Sequence, residues 1–160
     1  MPRYAYLEGQ LEITSPSRSH EQVKSMIGRL IEAWCFENEV DITPYGSWLL
    51  ENKPKARGIE PDECYVLGDV ANPSVPDLAI EVVWTSGGID KLEIYRGLGV
   101  REVWYWEDEV LKLFALRGSR YEPLERSEVL VGLDHELLLR FIELRPMTKA
   151  VREYRAALRG

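Results

Sequence analysis

The chain has 160 residues, 45% hydrophobic and 29% charged, which excludes a disordered polymer and fits one globular domain over residues 1–160. Its net charge of −7, from 20 Lys+Arg against 27 Asp+Glu, excludes a protein held on nucleic acid by a broad basic face. The same excess of carboxylate is what a magnesium site requires.

Residues 3–14 pair Tyr4 and Tyr6 with Leu11 and Ile13 across Leu7-Glu8-Gly9-Gln10, which predicts an N-terminal β-hairpin. Ser15-Pro16-Ser17 then breaks the chain and offers a helix cap. Val23, Met26, Ile27, Leu30, Ile31 and Trp34 are spaced as one face of an amphipathic helix of two to four turns, stopping near Asn38. Residues 40–51 read as two short strands or one bent strand around Pro44 and Gly46. Residues 52–58 (NKPKARG) read as a basic loop.

Two strands follow, Pro61 to Leu67 and Pro76 to Trp84. The second carries LAIEVVW, a nearly unbroken apolar run typical of a strand buried on both faces. Ile89, Leu92, Tyr95 and Leu98 mark a short helix that Gly99 ends as a left-handed cap. Residues 102–106, VLKLFAL and RYEPLE form a meander. C-terminal helices span 134–144 and 147–158, divided at Pro146, as an extension over 134–158. The order predicts a mixed α+β, α/β-type fold, with a central mixed sheet flanked by helices.

No apolar run approaches the ~18 residues of a membrane helix. The opening MPRYAYLEGQLEIT has no signal-peptide core. Cys35 and Cys64 are too few for a zinc cage and suggest no disulfide framework, so a reducing cytoplasm is expected. The sequence contains no Gly-rich phosphate loop, H-E-x-x-H, C-x-x-C or G-x-S-x-G.

The informative residue is Glu81, a carboxylate inside the apolar VPDLAIEVVW. Burying it ionised costs several kcal/mol unless it is paired or holds a cation. The plain alternative is an ion pair with an arginine. If the two strands form an antiparallel hairpin, positions that sum to about 143–145 face each other, and Asp62 lies beside Glu81. Like charges so placed repel. Two carboxylates with waters and a phosphate oxygen make the usual magnesium arrangement. Lys91, on the following helix near the end of that strand, reads alone as a solvated surface lysine and, next to these two, as a cation that can approach a metal-bound water or the scissile phosphate.

These residues carry a resemblance. Pro61-Asp62, the Glu81 strand and the nearby lysine look like the PD-(D/E)XK nuclease superfamily. YLEGQLEITSPS with His20, EPD at 60–62, PDLAIEVV at 76–83, Lys91 with Tyr95, and GVREVWYWE at 99–107 resemble one branch of it. That branch is a restriction-endonuclease-like family abundant in cyanobacteria, and the likeness covers roughly residues 4–145.

The resemblance implies a restriction-endonuclease-like core and phosphodiester hydrolysis that depends on Mg²⁺ or Mn²⁺. It makes Asp62 and Glu81 the metal ligands and Lys91 the assisting cation. The E-x-K lysine of the superfamily would fall at Val83, and Lys91 matches its replacement. Glu21, with His20 beside it, matches a supporting carboxylate of the first helix; a solvated carboxylate and a cap-region histidine bonded to backbone are the plain alternatives. Thr85 and Ser86 stand where the family commonly has Ser-Pro-Ser. The implied partner is nucleic acid, DNA first, with a homodimer among the expected assemblies and no membrane.

Trp104 and Trp106 share one strand face and read as packing residues rather than a base-stacking platform. Together with Trp34 and Trp48 they are also candidates for a dimer interface. Lys53, Lys55 and Arg57 read as a solvated loop before a phosphate contact, and Arg152, Arg155 and Arg159 as a solvated helix face. Two other function classes compete with the nuclease: a catalytically inactive nuclease-like module that binds nucleic acid or protein, and a structural protein whose two carboxylates are merely ion-paired.

Overall fold

In the computed structural model, which describes residues 1–84 and 87–160, the chain opens with the hairpin of β1 (Arg3–Leu7) and β2 (Gln10–Thr14). Glu8 and Gly9 close it with φ of 47° and 94°, a turn whose twist matches the strands it joins. Helix α1 (Arg18–Glu37) is capped by Ser17, whose side chain accepts from His20 N–H, and ends at Asn38. At 20 residues it exceeds the two to four turns expected, because both caps lie beyond the apolar stripe.

Two short strands follow, β3 (Ile42–Pro44) and β4 (Leu50–Asn52), and they belong to different sheets. The stretch expected as a basic loop instead holds a 3-10 turn (Lys53–Lys55) and β5 (Arg57–Ile59). β5 pairs with both β1 and β4, so its strand state comes from remote partners that local composition does not reveal. Next come β6 (Glu63–Leu67), β7 (Leu78–Val83), α2 (Lys91–Leu98), β8 (Glu102–Glu107), β9 (Val110–Arg117) and β10 (Arg120–Leu124). Helices α3 (His135–Ile142) and α4 (Met147–Leu158) complete the described chain.

A six-stranded sheet runs β10-β9-β8-β7-β6-β3, and a four-stranded one runs β2-β1-β5-β4. All pairings are antiparallel except β7 with β8. Parallel neighbours need a crossover, and α2 supplies it. Gly99, at φ 81°, ends α2 as the sequence predicts.

Strand alternation divides the large sheet into two faces. Leu78, Ile80, Val82, Trp104 and Trp106 join α1, α3 and α4 in one core. Ala79, Cys64, Val103 and Tyr105 face α2 and the small sheet in a second core. β7 is therefore covered on both sides, as its apolar run predicts. Trp34, Trp104 and Trp106 are buried, which removes them from any interface, and Trp48 packs against Tyr45. No helix among the described residues is long and apolar enough to cross a membrane.

Of the C-terminal arginines Arg152 and Arg159 are exposed, as expected of a solvated face, but two of the three also clamp helix α1. Arg155 and Arg159 both bond to Glu37 at the end of α1, and Arg155 lies over the Phe36 ring. Their hydrogen bonds hold the Glu37 carboxyl at about 2, against an ordinary 4.5. A depressed carboxyl stabilises the fold above its unfolded pKa and loses that contribution as pH falls through the folded value. The thermal midpoint should therefore fall between about pH 4.5 and 2, and Glu37→Gln should lower it at neutral pH while flattening that acid limb. Differential scanning calorimetry across this range checks both effects.

Candidate active site

Glu60-Pro61-Asp62 is where the chain leaves the small sheet and enters the large one. The crossing is tied to β1. Glu60 N–H donates to Tyr4 O, Glu60 Oε2 accepts from Tyr4 N–H, and Arg3 Nη1 donates to Pro61 O at 2.8 Å. β6 then pairs with β7 through Glu63 opposite Ile80, a register sum of 143. Asp62 thus sits one step before the ladder, beside Glu81, on the face shared with Ala79 and Cys64. The juxtaposition inferred from spacing is the one observed.

Asp62 is buried, and its Oδ2 accepts from Val82 N–H at 2.8 Å and contacts His20 Nε2 at 3.1 Å. Oδ1 accepts no hydrogen bond among the described residues and has Arg3 Nε 3.3 Å away. Burial works to raise this carboxyl, but the His20 and Val82 bonds outweigh it and hold Asp62 below the usual range. The His20 imidazole is shifted upward: burial opposes its charge, and the bond to Asp62 prevails.

Glu81 is 0% exposed. Its Oε1 accepts from Tyr95 O–H at 2.5 Å and its Oε2 from Lys91 Nζ at 2.6 Å. Lys91 and Tyr95 lie one turn apart on α2, so both reach the same carboxylate from one helix face. Burial raises the Glu81 carboxyl against the pull of Lys91, and the charge on Asp62 adds to the rise. Lys91 also shifts upward, because Glu81 and Asp62 outweigh the burial that opposes its charge.

A cavity of about 380 Å³ opens beside these groups, lined by Asp62, His20, Lys91 and Arg3. Four more carboxylates, Glu12, Glu60, Asp90 and Glu107, also line it. Val83 lines it as well, so a lysine at that position would have met the space that Lys91 reaches from α2. Trp84 forms part of the wall, edge-on to Trp106, and is half exposed. Among the described residues no three His, Cys, Asp or Glu side chains cluster at ligating distance.

Other expected residues lie elsewhere. Glu21 is half exposed, does not line the cavity, and pairs with Arg3 at 3.3 Å and Lys24 at 3.4 Å. Arg3, which also reaches Asp62, and His20 Nδ1 at 3.5 Å link it to the site. His20 is not a cap residue bonded to backbone through its ring; the ring turns inward to Asp62. Arg57 is turned under α2 onto the Glu93 carbonyl, Lys55 bonds Gly97 O, and only Lys53 is fully exposed. Thr85 and Ser86 lie outside the described residues.

Arg3 and the Tyr95 hydroxyl are site groups whose bonding the sequence does not announce. Tyr95 could have been found from its i,i+4 spacing to Lys91; Arg3 carries no local signal. Glu102 is a further buried carboxylate, bonded to Trp104 Nε1, Ser127 Oγ and the N–H groups of Glu128 and Val129.

Removing one partner of a buried ion pair leaves the other uncompensated. Lys91→Ala should cost about 3 kcal/mol at pH 8. The loss should be smaller at a second, acidic pH, because burial raises Glu81 and without its ammonium it takes up a proton more readily. Urea denaturation at the two pH values measures the difference.

Comparison with known proteins places this geometry. A family model described as "Uma2: Putative restriction endonuclease" matches residues 1–146. The fold is similar to the crystal structure of a "putative nuclease belonging to DUF820" from Anabaena variabilis, with a TM-score of 0.56 and 16% identity over 95% of this chain and 90% of that one. No curated protein matches the sequence.

Proposed function

The chain belongs to the Uma2 family of restriction-endonuclease-like proteins, and on that premise we propose that it is a metal-dependent endonuclease hydrolysing DNA phosphodiester bonds. One observation carries the proposal: Asp62 and Glu81 stand side by side on one buried sheet face, with Lys91 between Glu81 and an open cavity. The donor set fits Mg²⁺ or Mn²⁺. Such ions take one or two protein carboxylates and complete their shell with water and phosphate oxygen. Among the described residues Asp62 Oδ1 accepts no hydrogen bond, with Arg3 Nε 3.3 Å away, and Glu81, fully buried behind the residues that line the cavity, keeps a second lone pair on each oxygen. When bound there, the ion supplies polarisation of a phosphoryl oxygen and a more acidic bound water.

The residues of the chain divide the remaining work. Asp62 and Glu81 hold the cation. Tyr95 O–H fixes the Glu81 carboxylate from the side opposite Lys91. The Lys91 ammonium, held charged by two carboxylates, faces the charge that develops on the phosphoryl oxygens. The carboxylate-rich lining repels bare phosphate, so DNA binding should itself require the divalent ion. A homodimer working in the cytoplasm belongs to the same proposal.

A nuclease-like module without activity is the second reading. Val83 at the lysine position favours it, as does the engagement of both Glu81 oxygens by protein donors. Cleavage of plasmid with Mg²⁺ or Mn²⁺ separates the two. The enzyme should nick or cut it, and Asp62→Asn or Glu81→Gln should lower the rate by roughly 100-fold or more while the far-ultraviolet dichroism stays native. Full activity in either folded variant overturns the assignment. Absence of both cleavage and metal stabilisation in the wild type supports the module.

A further inference from the structure

We propose that His20 is a positioning residue, which sets Asp62 in the one orientation that turns Oδ1 toward the cation; this rests on the metal-dependent reading above. Two donors converge on the same oxygen of Asp62. Val82 N–H reaches Oδ2 at 2.8 Å, and His20 Nε2 reaches it at 3.1 Å. Oδ1 receives none among the described residues; Arg3 Nε lies 3.3 Å from it, and Asp62 lines the cavity. Val82 alone would fix one bond but leave the carboxylate plane free to turn about it. A second donor, from a different element, removes that freedom.

His20 can do this because its own place is fixed. Its backbone N–H is held by Ser17 Oγ at 3.1 Å in the first turn of α1, and its ring is buried with only 10% of the side chain exposed. Among the described residues the ring makes no other hydrogen bond: Nδ1 is buried without a partner there, 3.5 Å from Glu21 Oε1. Among the described residues its one ring hydrogen bond therefore goes to the carboxylate whose other oxygen accepts none and meets Arg3 Nε at 3.3 Å. Groups that orient a metal-ligating side chain in this way typically change metal affinity by about 10–100-fold when removed.

The test is a calorimetric titration of Mn²⁺ into the full chain, with thermal midpoints of the metal-free proteins alongside. His20→Leu removes the donor, and His20→Asn shortens it so that it falls short of Oδ2. His20→Gln returns an N–H near the position of Nε2. Leu and Asn should weaken Mn²⁺ binding by about 10–100-fold. Gln should stay within about threefold of the wild type, whatever the ranking of the metal-free midpoints.

Wild-type affinity in a folded Leu or Asn variant overturns the proposal, provided Asp62→Asn abolishes binding. So does a Gln variant that falls as far as Leu or follows only its thermal midpoint. Failure of the wild type to bind Mn²⁺, or binding that survives Asp62→Asn, instead overturns the metal-dependent reading on which the proposal stands.

Discussion

A carboxylate taken wholly out of water must be met by donors or by opposite charge, and Glu81 is taken out completely. Much of the architecture follows from meeting it. The parallel pairing of β7 with β8 requires a crossover, and the crossover helix α2 starts close to the end of β7. Its first residue, Lys91, and the residue one turn later, Tyr95, both end on Glu81. Asp90 caps the helix by accepting from Glu93 N–H, and Gly99 stops it before β8 begins. A helix displaced by one residue would rotate both donors about 100° away from the carboxylate.

Glu102 shows that burial alone does not make a site. It is as buried as Glu81, yet its hydrogen bonds come from four neutral donors, and it forms no salt bridge among the described residues. Its bonds fasten residues 127–129 to the large sheet. Glu81 differs in having a charged partner, a second carboxylate at its side and open space nearby. Those surroundings, more than its depth, set Glu81 apart from Glu102.

The small sheet is more than a decoration on the core. It positions Asp62, because the strand that precedes Glu60-Pro61-Asp62 is paired to β1 and β4. Arg3, on β1, links Pro61, Asp62 and Glu21, so it joins the hairpin to both the crossing segment and the first helix. The cost of holding like charges close is thus spread over Arg3, His20 and Lys91. None of these lies in the strands that carry the carboxylates.

Several features were legible in the sequence because they depend on local periodicity. The hairpin, the long apolar stripe of α1, the doubly covered β7 and the Gly99 stop all follow from spacing within a few residues. The pairing of Asp62 with Glu81 was legible too, since a short antiparallel connection fixes which positions face each other. The β5 strand, the inward turn of His20, the Glu37 clamp on α4 and the role of Glu102 were not. Each depends on a partner distant along the chain: β1 for β5, Asp62 for His20, Arg155 and Arg159 for Glu37, the 127–129 segment for Glu102. By itself the sequence determined which residues carry charge into an apolar strand and which faces they share, because a strand alternates with a period of two. Only the tertiary structure decided which donors meet those charges, and on which oxygen, because hydrogen bonds are fixed by distance and direction between elements that the chain order leaves far apart.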